Sequence, residues 1–365
     1  MKCTDRKPAT HLWLPLALLL LLITTVPAFG KDTWRNIDRV VAIGDVHGDY
    51  EQYLKILRDN DLIDEQLNWS GAKTHLVQLG DVPDRGPDSL KIMRHLKKLE
   101  KQAKRKKGYV HALLGNHEVM NVDNDLRYVH PGEYKILISQ KSAKLQSDYI
   151  TKVTDYLSAN DPDFDVTNEK SLEDLKHRYP LGYVEHRFLW APKGELFEWI
   201  KNHNTVIKIN RTLFVHGGVS PHQEPLALRE INKRVQKYLK SRVEDEIVGQ
   251  EGPLWYRGLA VNPAEVELEP LQAMLLFYDV DNIVIAHTPT PAKIIPRFDR
   301  RVIQADVGLS QAYGAGRASL MIEQNKYYAV HRGEKVLLPA DDEGIEAYYG
   351  ELSRIDQAKH ATVEE

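Results

Sequence analysis

Cysteine is almost absent from this chain, whose 365 residues include only one, Cys3. Every residue after it therefore belongs to a segment without thiols, which excludes disulfide bonds within that segment. The same absence excludes a thiolate nucleophile and a metal site built from cysteine. If the chain is an enzyme, its chemistry must rely on oxygen and nitrogen groups or on metal ions held by them.

The chain also lacks a strong excess of charge of either sign. Its net charge is −3 and its isoelectric point is about 6.6, so a nucleic-acid partner is not expected. The one long basic stretch, Lys97 to Lys107, is typical of the solvated end of a helix. With 42% hydrophobic and 28% charged residues, the composition is that of a globular protein with a sizeable core.

Long apolar runs are scarce, and the clearest one, Leu12 to Val26, lies near the start of the chain. It follows several basic residues and precedes Ala28-Phe29-Gly30, which is typical of a secretory signal and its cleavage site. The run is short for a membrane span. We therefore expect residues 1–30 to be a signal peptide and the protein to be exported, periplasmic or secreted. An uncleaved N-terminal anchor is the alternative, and only then would a membrane be a partner.

What the chain does contain is a recurring arrangement of a short apolar run followed by a polar loop. The runs are rich in Val, Ile and Leu and are typical of buried strands. Amphipathic helices are predicted between them, so the pattern indicates an α/β fold. The five loops are Gly44–Gly48 (GDVHG), Gly80–Gly86 (GDVPDRG), Gly115–Glu118 (GNHE), His216–Gly218 (HGG) and His287–Pro289 (HTP).

Each of these loops carries an Asp, His or Asn side chain. In α/β proteins ligands gather beyond the carboxyl ends of strands, so these side chains are expected to converge. Taken singly, each motif is weak, since an isolated buried histidine is more often hydrogen-bonded to backbone. Five strand-end motifs together predict a metal site of mixed carboxylate and imidazole character, which suits Mn, Fe or Zn.

The motifs resemble those of the calcineurin-like metallophosphoesterases, and DRG and GNHE are sharper marks of their phosphoprotein phosphatase branch. GNHEVMN, LFVHGGVSP and GPLWYRG are similar to segments of the Shewanella-like protein phosphatases. The resemblance covers roughly residues 40–320. It implies a β-sandwich of two mixed sheets flanked by helices, rather than one open parallel sheet. This domain would span residues 31–338 and precede a C-terminal helix and tail, 339–365.

The resemblance further implies a site for two metal ions, with manganese expected and iron or zinc as alternatives. The implied ligands are Asp45 and His47 for the first ion, Asp81 for both, and Asn116, His216 and His287 for the second. Substrate phosphate would be held by Arg85, Arg257 and Asn116, while His117 would be the general acid, oriented by Asp84.

The implied reaction is hydrolysis of phosphate monoesters by direct attack of metal-bound hydroxide. The substrate would be a phosphorylated protein or peptide, or a small phosphomonoester, and the Shewanella-like resemblance favours phosphotyrosine. A dinucleoside polyphosphate hydrolase is the main alternative, and a non-catalytic phosphate-binding protein is a remote one. The chain departs from the eukaryotic pattern in the long separation of Asn116 from His216, which predicts an inserted helical region over residues 119–202.

Overall fold

Twelve strands form two six-stranded sheets in the computed structural model, which describes residues 31–361, except for the side chains of residues 360 and 361. The predicted signal peptide and the last four residues lie outside the described part. The strands are β1 (Thr33–Trp34), β2 (Arg39–Ile43), β3 (His75–Gln78), β4 (Tyr109–Ala112), β5 (Val206–Ile209), β6 (Thr212–Val215), β7 (Asn282–Ile285), β8 (Ile295–Arg297), β9 (Val302–Gln304), β10 (Ala318–Glu323), β11 (Lys326–His331) and β12 (Glu334–Leu337).

Both sheets are mixed, and each contains three neighbouring parallel strands. The first has the order β12-β11-β10-β2-β3-β4, in which β2, β3 and β4 are parallel. The second has the order β1-β5-β6-β7-β9-β8, in which β6, β7 and β9 are parallel. The prediction of two mixed sheets flanked by helices is confirmed.

The strands form where apolar side chains can be buried on both faces of a sheet. All four residues of β3, β5, β6 and β7 are buried, which matches helix-covered parallel strands. At one edge of the first sheet, β12 instead alternates between half-buried and exposed residues. The apolar runs that preceded the polar loops in the sequence therefore form strands, of which β2, β3, β6 and β7 lie inside the sheets and β4 lies at an edge.

Twelve α-helices within residues 31–361 flank the sheets or extend from them. They are α1 (Tyr50–Asp59), α2 (Ser89–Arg105), α3 (Asn116–Val122), α4 (Pro131–Lys135), α5 (Ser142–Asn160), α6 (Glu169–Arg178), α7 (Tyr183–Trp190), α8 (Glu195–Ile200), α9 (Leu228–Ser241), α10 (Gly258–Val261), α11 (Ala264–Tyr278) and α12 (Ile345–Ala361). Short 3₁₀ turns occupy Glu246–Val248, Gln311–Tyr313 and Asp342–Gly344.

The two helices after the first two loops are amphipathic, as the sequence predicted. In α1, Tyr53, Leu54 and Leu57 face the core, and Asp49 caps the first turn by accepting the Gln52 N–H at 3.1 Å. In α2 the final turns carry exposed lysines, so the basic stretch is a solvated helix end.

Five helices, α4 to α8, occupy the segment between the third and fourth loops, where an insertion was predicted. At the other end of the chain, α12 buries Tyr348, Leu352 and Ile355, and the Tyr348 hydroxyl donates to the Ile294 carbonyl at 2.8 Å. None of the helices in residues 31–361 is long and apolar enough to cross a membrane.

Candidate active site

The first sheet brings four of the predicted ligands to the ends of three neighbouring strands. Asp45 and His47 follow β2, Asp81 follows β3 and Asn116 follows β4, and each is at most 4% exposed. His47 Nε2 lies 3.8 Å from Asp45 Oδ2 and 4.0 Å from Asp81 Oδ2. These separations are too long for direct hydrogen bonds and leave room for an ion between the atoms.

The second sheet adds the two remaining predicted ligands. His216 follows β6 and His287 follows β7. His216 Nε2 lies 3.0 Å from Asn116 Oδ1, 3.2 Å from Asp81 Oδ2 and 3.2 Å from His287 Nδ1. All six predicted donors therefore converge on one buried space. Two groups within it have ligand atoms close enough to share an ion, namely His47, Asp81 and His117, and Asp81, His216 and His287.

A sixth strand end adds a carboxylate to which the sequence pattern assigned no role. Asp306 follows β9, is 1% exposed and contacts the Asp45 carboxyl. Its Oδ1 accepts the Gly308 N–H at 3.0 Å, whereas its buried Oδ2 has no hydrogen-bond partner. Each sheet thus contributes the carboxyl ends of three adjacent parallel strands, and the two triplets face the same site.

Two of the histidines are oriented by backbone carbonyls. Nδ1 of His47 donates to the Pro83 carbonyl at 3.1 Å, and Nδ1 of His216 donates to the Leu79 carbonyl at 2.9 Å. In both rings Nε2 is left facing the carboxylates. Metal-binding histidines commonly use one nitrogen in this way to fix the tautomer that presents the other.

The electrostatics of the site call for cations. Burial raises the pKa of Asp45 well above its ordinary value and that of Asp306 to about 6, and each carboxyl has other carboxylates beside it. Burial lowers the pKa of His47 to about 4 and also lowers that of His287, so these imidazoles are neutral. Neutral imidazoles therefore lie beside crowded carboxylates, and two buried atoms, His287 Nε2 and Asp306 Oδ2, have no hydrogen-bond partner. Such a set of ligand atoms fits a pair of divalent metal ions.

His117 is held by a chain of side chains rather than by a carbonyl. Its Nδ1 donates to Asp84 Oδ2 at 2.6 Å, and the other Asp84 oxygen accepts from Asn121 Nδ2 at 2.9 Å. Burial opposes protonation of His117, yet the Asp81 and Asp84 carboxylates together raise its pKa. The arrangement keeps a proton on Nδ1 and directs Nε2 towards Asp81 Oδ2, 3.8 Å away.

Glu118 organises the backbone of the site without facing the ligand space. Its carboxylate accepts the N–H groups of Asp81 at 3.0 Å, Val82 at 2.9 Å and Gly115 at 2.8 Å. The loops after β3 and β4 are thereby tied to each other. Gly115 itself permits this approach, because an added Cβ would collide with the Asp81 carboxylate.

The inserted region supports the Asp84-Arg85 turn directly. Glu133, at the start of α4, accepts the Asp84 N–H at 3.1 Å and the Ser89 hydroxyl at 2.7 Å. The Tyr128 carbonyl accepts the Arg85 N–H at 2.9 Å. Part of the predicted insertion therefore holds the backbone of the active site in place by hydrogen bonds.

Arg257 lies at the rim of the site and approaches it from the second sheet. Its Nη1 donates to the His287 carbonyl at 2.7 Å and to the Thr288 hydroxyl at 3.0 Å, while the residue remains exposed. The Arg85 guanidinium lies on the other side, where its Nε is buried without a partner. The two predicted phosphate-binding arginines are therefore positioned from opposite sheets.

Several functional side chains stand on strained backbone. The φ angles are 46° at His47, 53° at Asp81, 73° at Asp84, 65° at Arg85 and 66° at His287. Residues other than glycine rarely adopt this left-handed conformation, and it concentrates at functional sites.

The sequence model of the calcineurin-like phosphoesterase family matches residues 38–291 of the chain. The chain belongs to this family.

Relatives of this phosphoesterase agree in length as well as in sequence. An uncharacterized protein of Schizosaccharomyces pombe is 32% identical over 316 residues, which cover 82% of each chain. Shewanella-like protein phosphatase 2 of Arabidopsis thaliana is 30% identical over 76% of this chain and 73% of its own. The crystal structure of a cold-active protein-tyrosine phosphatase of a psychrophilic Shewanella species is 28% identical, with a TM-score of 0.65 over 85% of this chain and 83% of its own.

A symmetrical bis(5′-nucleosyl)-tetraphosphatase of Wigglesworthia glossinidia brevipalpis is 29% identical, but the match covers only 47% of the phosphoesterase and 64% of that protein. The dinucleoside polyphosphate alternative is therefore weaker. Family, relatives and site together make the phosphoesterase a metal-dependent hydrolase of phosphate monoesters. Its family uses two metal ions.

Sequence reasoning missed several residues that shape the site. Asn121 and Glu133, in the second and third helices after Asp84, hold that residue in place. Asp306 follows the third strand of the second parallel triplet. A signal for Asp306 was present, since an apolar run, Val302 to Ala305, leads into Asp306-Val307-Gly308 in the same way as the other five.

Proposed function

We propose that this phosphoesterase is an exported protein phosphatase that prefers phosphotyrosine and works with manganese. The observation that carries the proposal is the His117–Asp84–Asn121 chain beside the converging ligands. This chain places an oriented proton donor next to the candidate metal ligands and an arginine. Cleavage of a phosphate ester by metal-activated water uses these groups. The similarity to a solved protein-tyrosine phosphatase supports the choice of substrate.

Phosphate binding is assigned to Arg85 and Arg257, with Asn116 beside them. The guanidinium of the half-buried Arg85 and the remaining donors of the exposed Arg257 can each meet a phosphoryl oxygen. Guanidinium groups match phosphate because their N–H donors form a planar fork. Donors set in place before the reaction stabilise the charge that develops on the phosphoryl oxygens in the transition state.

Proton transfer to the leaving group is assigned to His117. Asp84 holds the ring in one orientation, and Asn121 holds Asp84 in turn. With Nδ1 occupied by this bond, the proton on Nε2 is the one available to the departing oxygen. A well-placed general acid contributes about 10²–10⁴ in rate.

The metal pair is assigned to Asp45, His47, Asp81, Asn116, His216 and His287, with Asp306 as an additional carboxylate. When bound, two divalent cations supply an activated water nucleophile and neutralise phosphoryl charge. Manganese is proposed because mixed oxygen and imidazole ligands without thiolate suit it, with iron and zinc as alternatives.

The experiment that tests this function compares four substrates side by side on metal-loaded protein. They are a phosphotyrosine peptide, a phosphoserine peptide of otherwise identical sequence, a phosphodiester and a diadenosine polyphosphate. Hydrolysis of the phosphotyrosine peptide with the highest kcat/KM is expected. Faster hydrolysis of phosphoserine would remove the proposed preference, and faster hydrolysis of the diadenosine compound would replace the proposed function. Loss of activity on chelation, with recovery on addition of Mn²⁺, tests the metal dependence.

Export is proposed from residues 1–30, whose basic start, apolar run and Ala28-Phe29-Gly30 pattern support cleavage before Lys31. N-terminal sequencing of protein recovered from cells and from their exported fraction is the test. A mature terminus near Lys31 is expected. Retention of Met1 on membrane-bound protein would favour the anchor instead.

A further inference from the structure

The Arg85 guanidinium lies between two tyrosine rings that come from distant parts of the chain. Its Cζ is 3.9 Å from the centre of the Tyr128 ring and 5.7 Å from the centre of the Tyr313 ring. Tyr128 precedes α4 in the inserted region, whereas Tyr313 lies between β9 and β10. An arginine held against aromatic faces is attracted to their π-electrons and retains its N–H edge for a ligand.

Each tyrosine also contacts a second functional ring. The Tyr128 ring centre is 5.2 Å from that of His117, and the Tyr313 ring stacks on His47 at 5.2 Å with an interplanar angle of 29°. The pair therefore borders the proton donor on one side and a metal ligand on the other. Tyr313 is 39% exposed and Tyr128 is half-buried, so both rings have surface left for a bound group.

We propose that Tyr128 and Tyr313 are specificity-determining residues that select phosphate esters of aromatic alcohols; this inference rests on the proposed phosphatase function. The leaving oxygen must come close to His117, and Tyr128 lies against that ring. A phenyl group attached to the oxygen therefore meets the tyrosines and is withdrawn from water. The single methylene of phosphoserine is too short to make the same contact.

A purely positioning role for the tyrosines has different consequences. If the rings served only to hold Arg85, their loss would weaken phosphate binding for every substrate to the same degree. The loops themselves do not depend on the rings, since the Tyr128 carbonyl accepts the Arg85 N–H at 2.9 Å and Asp49 Oδ2 accepts the Gln311 N–H at 2.9 Å. Side-chain replacements therefore leave the backbone of both loops tied in place.

The test compares full-length Tyr128→Leu, Tyr313→Leu and the double variant with Tyr109→Leu. This control residue lies at the far end of β4 and is as exposed as Tyr313, at 39%. For each protein, kcat/KM is measured on phenyl phosphate and an alkyl phosphate, and on the phosphotyrosine and phosphoserine peptides. Each active-site variant should lower the aryl-to-alkyl ratio by roughly three- to tenfold, the value of one aromatic contact, and the double variant by more. Tyr128→Phe and Tyr313→Phe keep the ring and should keep the ratio.

Equal losses on aryl and alkyl substrates would overturn the inference and leave the tyrosines as positioning residues. An unchanged ratio in the double variant would overturn it as well. Metal content, measured on the same samples, should match that of the unmodified protein, so a loss of metal would also contradict the assignment. Failure of the proposed function is distinct, because the unmodified protein would then hydrolyse the phosphoserine peptide or the diadenosine compound faster than the phosphotyrosine peptide.

Discussion

The half of the active site on β2, β3 and β4 differs from the half on β6, β7 and β9 in how its side chains are held. In the first half, Glu118 accepts three backbone N–H groups, and Asn121 and His117 both bond to Asp84. In the second half, His287 Nε2 and Asp306 Oδ2 are buried without partners, and both belong to proposed metal ligands. The buried unpartnered atoms of the first half, Arg85 Nε and Asn121 Oδ1, do not. The first half is therefore organised by the protein itself, whereas the second half depends on bound cations to satisfy its donors.

The largest effect is expected where the two halves meet, at His216. Its Nε2 is within 3.2 Å of donors from both sheets, so His216→Asn should lose metal and lower turnover by about 10³ or more, since even one preorganised electrostatic group is worth 10²–10³. Metal content and kcat on an aryl phosphate are the measurements. His95→Asn, which replaces another buried histidine remote from the ligands, is the control. Two metals retained at unchanged affinity would show that His216 is not a metal ligand.

A more selective effect is expected at His117, within the organised half. His117→Asn should keep both metals and lower kcat by about 10²–10⁴ on alkyl phosphates, because these leave as basic alkoxides that need a proton. The loss should be distinctly smaller on an activated aryl phosphate. Asp84→Asn should show the same dependence with a smaller loss, because it removes orientation but not the acid.

His117 also lies close enough to His47 and Asp81 to complete a group of three possible ligands. Metal analysis of His117→Asn separates the two roles. If that variant loses a metal, or loses activity equally on both kinds of leaving group, His117 is not the general acid and the proton must come from elsewhere.

The dependence of the second half on cations can be tested at Asp306. Asp306→Asn should weaken metal binding by about 10–100-fold, as loss of a supporting ligand commonly does. In metal-free protein the same change should raise the melting temperature, because it removes one of two buried carboxyls in contact. Calorimetry with and without metal measures both effects. A lower melting temperature in both states would mean that Asp306 is simply a structural residue.

The smallest effect is expected where the inserted region supports the first half. Glu133→Gln weakens a charge-assisted bond to the Asp84 N–H, and kcat/KM should fall by about three- to tenfold at unchanged metal content. Glu100→Gln, which removes the carboxylate bonded to Trp199 away from the site, is the matched control. An equal change in kcat/KM in the two variants would show that the contact from the inserted region does not contribute to catalysis.

Local patterns in the sequence located the strand ends and their polar residues, whereas the arrangement in two mixed sheets was implied by the family resemblance. Apolar runs that end in Gly-Asp or Gly-Asn mark strand ends directly, so Asp45, Asp81 and Asn116 could be placed before their surroundings were known. The contacts that hold those residues are long-range: Glu133 is 49 residues from Asp84, and Arg85 is far in sequence from Tyr313. No sequence periodicity predicts such pairs. An apolar run does lead into Asp306, but Asp306-Val307-Gly308 resembles the family's motifs too weakly to give that residue a role.

The left-handed backbone conformation at five positions determines which substitutions would stabilise the protein. These positions are His47, Asp81, Asp84, Arg85 and His287. Each position costs about 1–2 kcal/mol relative to glycine, so the fold and the chemistry favour different residues at the same place. A library selected for heat resistance alone would enrich glycine or asparagine there and yield well-folded, inactive proteins. Thermal stability and turnover are thus competing traits at these five positions, which are assigned to metal binding, phosphate binding and the orientation of His117, so engineering for stability should leave them unchanged.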